Sequence, residues 1–343
     1  MKIFLKKISI FSIILFGYIL LEIFMPYKYT TFRAWETLKD LDNNNFIKNR
    51  NLVRDEYGDL AFYTKSRIKK SNIRYRIDSF GKRNDEFKKN AEIILIGDSI
   101  VSGASLSQED ILSSKLIQKT HFDIYNLAPA SFNQFKKLIE DKEIKIPKVL
   151  VYGVIERNIP NLTLNKNVED KKSDLSYGKK LVKKFLPKIY FKLQHKALKN
   201  FITAKINRLT NYKEIKVSPI DDKMIFFQGA FSKLEFNKVE HEEIIKMNNF
   251  CEKMEIKFIF LPIPNKETVY FNLIPLNKQP DYLIDLFDFL QKYDILTVNT
   301  LEVFNQKKAN NLIYHYDDTH WNKLGVDLVA TELAYIINKL DLK

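Results

Sequence analysis

The run Ile93-Ile94-Leu95-Ile96-Gly97-Asp98-Ser99 opens with four consecutive apolar residues and breaks at a glycine. Apolar residues without polar alternation describe a strand buried on both faces, as in a parallel sheet covered by helices. Gly97 allows a tight turn off the strand end. Ser99 then stands at the mouth of the following loop or helix, where backbone N–H groups point outward and can hold an oxyanion. A serine hydroxyl is a weak nucleophile until a base takes its proton. The reading therefore needs a second motif.

The same grammar repeats outward from this run. Residues 122–126, 149–152, 257–261 and 295–298 read as further short strands, the second of them preceded by Pro147. Ser107-Gln108-Glu109-Asp110 has the serine–acid spacing of a capped helix start, with Ile111, Leu112, Leu116 and Ile117 following at helical spacing. Residues 134–143, 240–254 and 282–291 read as helices. A last helix spans about 324–340, with Val326, Val329, Leu333, Ile336, Ile337 and Leu340 on its apolar face. Strands separated by helices predict an α/β chain, a three-layer α/β/α sandwich around a central parallel sheet. Ligands of such sheets bind beyond the C-terminal ends of the strands. Both Gly97-Asp98-Ser99 and the region after Tyr152 fall there.

The second motif is Asp317-Asp318-Thr319-His320-Trp321-Asn322. It offers a histidine with carboxylates two and three residues before it, a base and an acid that can hold its tautomer. His315 and His320 with two aspartates make a poor metal pattern. His121, His195 and His241 read as surface or capping residues. Arg83 reads as a structural ion pair or a pocket cation, and Trp321 as a sugar platform or a core plug.

The chain of 343 residues is 45% hydrophobic and 29% charged, ordinary globular composition. Its 56 Lys+Arg against 42 Asp+Glu leave a net charge of +14. That balance suits a partner with negative charge, yet no nucleic-acid-binding signature is present. The single Cys251 excludes a disulfide framework and a cysteine metal cluster. Lys2, Lys6 and Lys7 precede an apolar run from Ile8 to Met25 whose one charge is Glu22. The run is long enough to cross a bilayer as one transmembrane helix. It ends in bulky residues rather than the small ones of a cleavage site. We read residues 1–26 as an uncleaved membrane anchor, with the lysines on the cytoplasmic side and the rest of the chain extracytoplasmic. Residues 27–90 read as a stalk plus a first turn or edge strand leading into the domain. Residues 91–343 form that domain, interrupted at about 159–245 by a basic helical insertion. Lysines interleaved with apolar residues between Lys179 and Arg208 fit either a surface for anionic lipid or glycan or a solvated helical face.

Taken together, the motifs resemble the SGNH, or GDSL-like, hydrolase superfamily over roughly residues 75–340. Gly97-Asp98-Ser99 resembles its nucleophile block. Tyr125-Asn126-Leu127-Ala128-Pro129-Ala130 resembles the second block, with Ala130 nearest the residue whose N–H lines the oxyanion hole. Residues 317–320 resemble the last block, with His320 as base. The third block, Gly-x-Asn-Asp, is absent: the strand end reads Val154-Ile155-Glu156-Arg157-Asn158, so Arg157 or Asn158 would supply that donor. The usual Asp-x-x-His spacing selects Asp317 as the acid. Asp-Thr-His-Trp is similar instead to the alginate O-acetyltransferase branch, where the acid lies two residues before the histidine, and selects Asp318, which we favour. Pro264-Asn265-Lys266-Glu267-Thr268-Val269-Tyr270 is similar to a Pro-x-Lys-x-x-x-Tyr-like segment of the same branch. Those acetyltransferases usually carry Asp-x-His before the serine block, whereas here it follows. The resemblance implies acyl transfer or ester hydrolysis on a cell-envelope or secreted glycan without a cofactor. It also implies a multi-span membrane acyltransferase as partner. Ser99 would be nucleophile, His320 base, Asp318 (or Asp317) the orienting acid, and the N–H groups of Ser99 and Ala130 the oxyanion hole, with Asn158 as a further donor. A simple carbohydrate or lipid esterase, or an inactive glycan-binding subunit, are the alternatives.

Overall fold

The computed structural model describes residues 2–24, 38, 45–62, 68–164, 186, 197–209, 214–217, 221–226, 238–274 and 278–342. Along the chain these give α1 (Lys2–Phe24), β1 (Arg50–Glu56), a 3₁₀ turn at Asp59–Phe62, β2 (Lys70–Ile77), β3 (Ile93–Gly97), α2 (Leu112–Lys119), β4 (Ile124–Asn126), α3 (Phe132–Glu140) and β5 (Val149–Ile155). A 3₁₀ turn at Glu156–Asn161 follows, then α4 (Ala197–Leu209), β6 (Glu214–Val217), β7 (Asp221–Ile225), α5 (Lys238–Lys253) and β8 (Lys257–Ile263). The chain closes with α6 (Lys266–Val269), α7 (Tyr282–Lys292), β9 (Leu296–Thr297), α8 (Thr300–Lys307) and α9 (Lys323–Lys339).

The five expected strands form one parallel sheet in the order β4-β3-β5-β8-β9. Side chains of a strand alternate between faces, and the core divides accordingly. Ile93 and Leu95 pack with Leu112, Leu116, Val326, Val329 and Leu333, on the side of α2 and α9. Ile94 and Ile96 pack with Phe132, Phe135, Ile244, Met247, Leu283 and Leu286, on the side of α3, α5 and α7. A strand clad on both faces has no place for a polar side chain, which is why these runs carry no alternation. The result is the three-layer α/β/α sandwich.

Two expectations need correcting. Ser107 makes no side-chain cap, and only a 3₁₀ turn at Gln108–Asp110 follows it. Helix α2 starts later, at Leu112, because Ser107 instead accepts the backbone N–H of Arg74. Within residues 27–90, β1 and β2 pair antiparallel with each other and add no edge strand to the sheet; 27–37, 39–44 and 63–67 lie outside the described residues. Most of the basic run 179–208 also lies outside them. What is described of the insertion is residues 159–164, residue 186, α4, the antiparallel pair β6–β7, Phe226 and the start of α5. Helix α1 is long and apolar enough, over Ile3–Phe24, to cross a membrane.

Candidate active site

Strand β3 ends in a glycine because nothing larger fits there. Gly97 has φ +149°, and a Cβ on it would lie 2.2 Å from the carbonyl oxygen of Gly153 on β5. The chain then turns, and Asp98 Oδ1 accepts the N–H of Ile100 at 3.0 Å to close that turn. Ser99 is thereby delivered to the C-terminal end of the sheet, into a cleft of about 440 Å³ lined by Gly97, Asp98, Ala130, Tyr152, Gly153, Asn158 and Leu162.

His320 arrives from the loop before α9, 221 positions further along the chain. Its Nε2 lies 2.8 Å from Ser99 Oγ. Its Nδ1 lies 2.5 Å from Asp318 Oδ1. Asp318 Oδ1 also accepts the His320 backbone N–H at 3.1 Å, and Oδ2 accepts the Ser105 hydroxyl. Burial opposes ionisation of Asp318, but the adjacent His320 and Lys70 charges hold its carboxyl well below the usual carboxylate range. An ionised Asp318 requires the hydrogen of His320 on Nδ1. Nε2 is then the free base that accepts the serine proton.

Asp317 does different work. Its Oδ2 accepts the backbone N–H groups of Gly58 at 3.0 Å and Ile68 at 3.2 Å, and its carbonyl accepts Leu60 N–H at 2.9 Å. Gly58 packs so closely that a Cβ would lie 1.9 Å from the Asp317 carbonyl oxygen. The carboxylate three residues before the histidine therefore pins residues 58–68 and does not reach His320. The contacts thus place Asp318, and not the alternative Asp317, against His320 Nδ1.

Residues 230–343 match the family model described as the SGNH hydrolase-like domain of the acetyltransferase AlgX. Over this C-terminal third the chain is similar to the SGNH hydrolase-like domain of AlgX-type acetyltransferases. The matched residues include Lys266, Asp318 and His320 and stop short of Ser99. No curated protein matches the chain. Solved structures similar to it include a lipase/acylhydrolase from Enterococcus faecalis, at 11% identity over 75% of this chain and 99% of that one, TM-score 0.38. A member of the lipolytic G-D-S-L family from Veillonella parvula matches at 10% identity over 72% and 98%, TM-score 0.38. A GDSL-like lipase from Bacteroides thetaiotaomicron matches at 12% over 73% and 88%, TM-score 0.35.

The candidate oxyanion donors around Ser99 differ from those expected. Ala130 lines the cleft, but its N–H donates to Gly97 O at 2.9 Å while Gly97 N–H donates to Ala130 O at 3.0 Å. That reciprocal pair consumes the amide, so Ala130 is corrected from donor to wall. The neighbouring Ser131 N–H is likewise taken, by Gln134 Oε1 at 2.8 Å. Asn158 does line the cleft beside Ser99. One of its two Nδ2 hydrogens goes to Asp98 Oδ2 at 3.2 Å, which orients the amide and leaves the other hydrogen to offer. Arg157, the other substitute considered, donates to Asn265 Oδ1 at 3.1 Å instead.

Lys70 and Asp59, which the sequence reading passed over, and Lys266 and Tyr270, which it singled out, hold the His320 loop in place. Lys70, from β2, lies 3.4 Å from Asp318 Oδ2 and 3.5 Å from Asp317 Oδ1. Burial lowers its pKa, but the two aspartates outweigh that and raise it, so it stays charged. Asp59 accepts both the N–H and the hydroxyl of Thr319, at 2.9 and 2.6 Å. Asp59, Asp318 and His320 bring three potential metal-ligand atoms within 4.8 Å of one another; the hydrogen bonds to Thr319 and Ser99 give those groups the roles of an oriented base. Buried Lys266 donates to the carbonyls of Ile225, His315, Tyr316 and Asp318 at 2.7–3.2 Å, and burial pulls its pKa down to about 8. Tyr270 Oη accepts Ile313 N–H at 2.9 Å. Both chemically distinctive residues of the 264–270 segment thus grip the loop that carries the base.

The remaining singled-out residues are structural. Buried Arg83 donates to the carbonyls of Gly103, Leu106 and Arg74, and stacks 3.9 Å over the Tyr75 ring. Trp321 is fully buried in the core. Burial, with the Lys70 charge beside it, holds His315 well below the ordinary histidine range. His241 is buried rather than on the surface, with Nε2 2.9 Å from the Tyr282 hydroxyl. His121 is exposed, and His195 lies outside the described residues.

Proposed function

We propose that this protein is a membrane-anchored serine acyltransferase or esterase. In this reading it acts on O-acyl, chiefly O-acetyl, groups of an extracytoplasmic or cell-envelope polysaccharide. What carries the reading is the unbroken relay from Ser99 Oγ through His320, 2.8 Å away, to the ionised Asp318, 2.5 Å beyond it. Ser99 Oγ attacks the acyl carbonyl carbon as its proton passes to His320 Nε2. The tetrahedral oxyanion is held by the Ser99 N–H, which has no acceptor among the described residues, and by the second Nδ2 hydrogen of Asn158. Collapse expels the donor alcohol, which takes the proton from His320, and leaves Ser99 acylated. A glycan hydroxyl, or water in the esterase case, then gives His320 its proton and attacks the acyl carbon, restoring Ser99.

The AlgX-type match supports polysaccharide as the class of acceptor, and α1 supports anchoring with the domain on the extracytoplasmic side. A multi-span acyltransferase would supply the acyl group. No cofactor enters this scheme. The test is acetyl release from an aryl acetate by the full chain in detergent, beside Ser99→Ala and His320→Ala, with and without a glycan acceptor. Activity lost in both variants and raised by the acceptor supports the transferase. Activity lost in both but indifferent to acceptor selects the esterase. Activity surviving in Ser99→Ala ends the reading.

A further inference from the structure

The only charge between Ile8 and Met25, Glu22, is buried. Its Oε1 accepts the Tyr18 hydroxyl at 2.7 Å, and its Oε2 accepts the backbone N–H of Leu198 at 2.9 Å. An ionisable group in a spanning segment is costly unless it has partners. Here the partners are one turn back on α1 and the first turn of α4. The 22 residues of Ile3–Phe24 extend about 33 Å as a helix, enough to cross the ~30 Å hydrocarbon layer with Lys6 and Lys7 at its cytoplasmic edge. Glu22 lies two residues from the end of that span. The start of α4 is therefore held at the level where the anchor leaves the bilayer.

Helix α4, thirteen residues long, presents an open stripe of mixed character. Ile202, Ile206 and Leu209 are 48%, 54% and 73% exposed, at i, i+4 and i+7 on one face. Lys199 and Lys205 are exposed on the same side. Such a stripe, apolar along its line and cationic at its flanks, is the pattern of a helix lying in a membrane interface.

We propose that α4 is an interfacial helix seated on an anionic phospholipid surface through Ile202, Ile206 and Leu209. This rests on the reading of α1 as a membrane anchor. Two attachments, one spanning and one lying flat, fix the orientation of the domain and not merely its tether. Helix α4 also packs against the Asp59–Phe62 turn, whose Asp59 holds Thr319 beside His320. The seat on the lipid thereby sets the height and tilt at which the cleft meets its substrate.

The test uses the full chain carrying Cys251→Ala and a single fluorophore on Ile202→Cys, Leu209→Cys, Ile14→Cys in mid-α1, or Ile284→Cys on the solvent face of α7. Each is reconstituted in mixed phosphatidylcholine and phosphatidylglycerol vesicles. Labels at 202 and 209 should lose about twofold or more of their emission to doxyl-bearing lipid and little to aqueous iodide, as an interfacial depth requires. The label at 284 should behave oppositely. If the α1 label is in lipid while those at 202 and 209 answer only to iodide, the inference falls and the anchor stands. If 202 and 209 are shielded from both quenchers, a protein covers α4 and the inference falls. If the α1 label itself answers to iodide, the anchor reading and the inference fall together.

Discussion

Asp317 and Asp318 are neighbours with identical side chains, and one backbone step separates the proposed orienter of His320 from a structural staple. The preference for Asp318 was legible because an acid two residues before a histidine can curl back to its Nδ1. What Asp317 does was not legible, because its partners lie about 250 positions earlier in a polar stretch without periodicity. Asp318→Asn should lower kcat by about 10³–10⁴-fold through loss of the correct tautomer, while Asp317→Asn should act on stability, by about 1–3 kcal/mol for weakened buried hydrogen bonds. Steady-state kinetics and urea melts of the two variants separate these effects. The oxyanion hole was the least legible part of the site. Whether the Ala130 amide is free depends on where the Gly97 carbonyl points, and no spacing rule encodes that. Asn158→Ala should lower kcat by about 10²–10³-fold with little change in KM, and an unchanged kcat would remove Asn158 from the mechanism.

At the scale of elements, the loop that carries Asp318 and His320 is held from two sides. On one side α6 and the residues flanking it supply Lys266 and Tyr270. On the other, β2 and the turn after β1 supply Lys70 and Asp59. The first could be singled out in the sequence through its resemblance to an acetyltransferase segment, although its task could not. The second was read as a stalk, because a short two-stranded hairpin carries too few apolar residues to announce what it packs against. Lys70→Met leaves Asp317 and Asp318 without their buried cation and should destabilise the fold by about 3–5 kcal/mol, with Lys70→Arg recovering part of it. Urea denaturation of the three proteins at one pH is the measurement. Lys266→Met should lower kcat while sparing KM, since it removes the donor shared by four carbonyls of the framework behind the base without touching the cleft.

For the whole molecule, the sheet was the most legible feature. Five apolar runs at the right separations admit little besides a doubly covered parallel sheet, and each strand ends within three residues of where its run ends. Stability at this scale depends on pH through a group far from solvent. Glu156, fully buried at the end of β5, has its carboxyl pushed up to about 7, burial outweighing its hydrogen bonds from Thr268 and Asn265. A carboxyl raised in the folded state contributes stability that is fully present below about pH 4 and is lost as pH rises through about 7. Glu156→Gln, which cannot ionise, should therefore be more stable than the parent above pH 7, by on the order of 3 kcal/mol, and no more stable near pH 4. Melting curves across that window decide it, and a difference independent of pH would show that Glu156 is already charged in the fold.

The chain has only two tryptophans, and Trp321 is fully buried one residue after His320. The indole shares its peptide bond with the base, so its emission colour is a built-in optical report on whether that loop is seated. Any variant, acid shift or ligand that lifts the histidine out of register should redden the fluorescence before global unfolding begins. Loss of activity by displacement can thus be told from loss by chemistry, with no label attached.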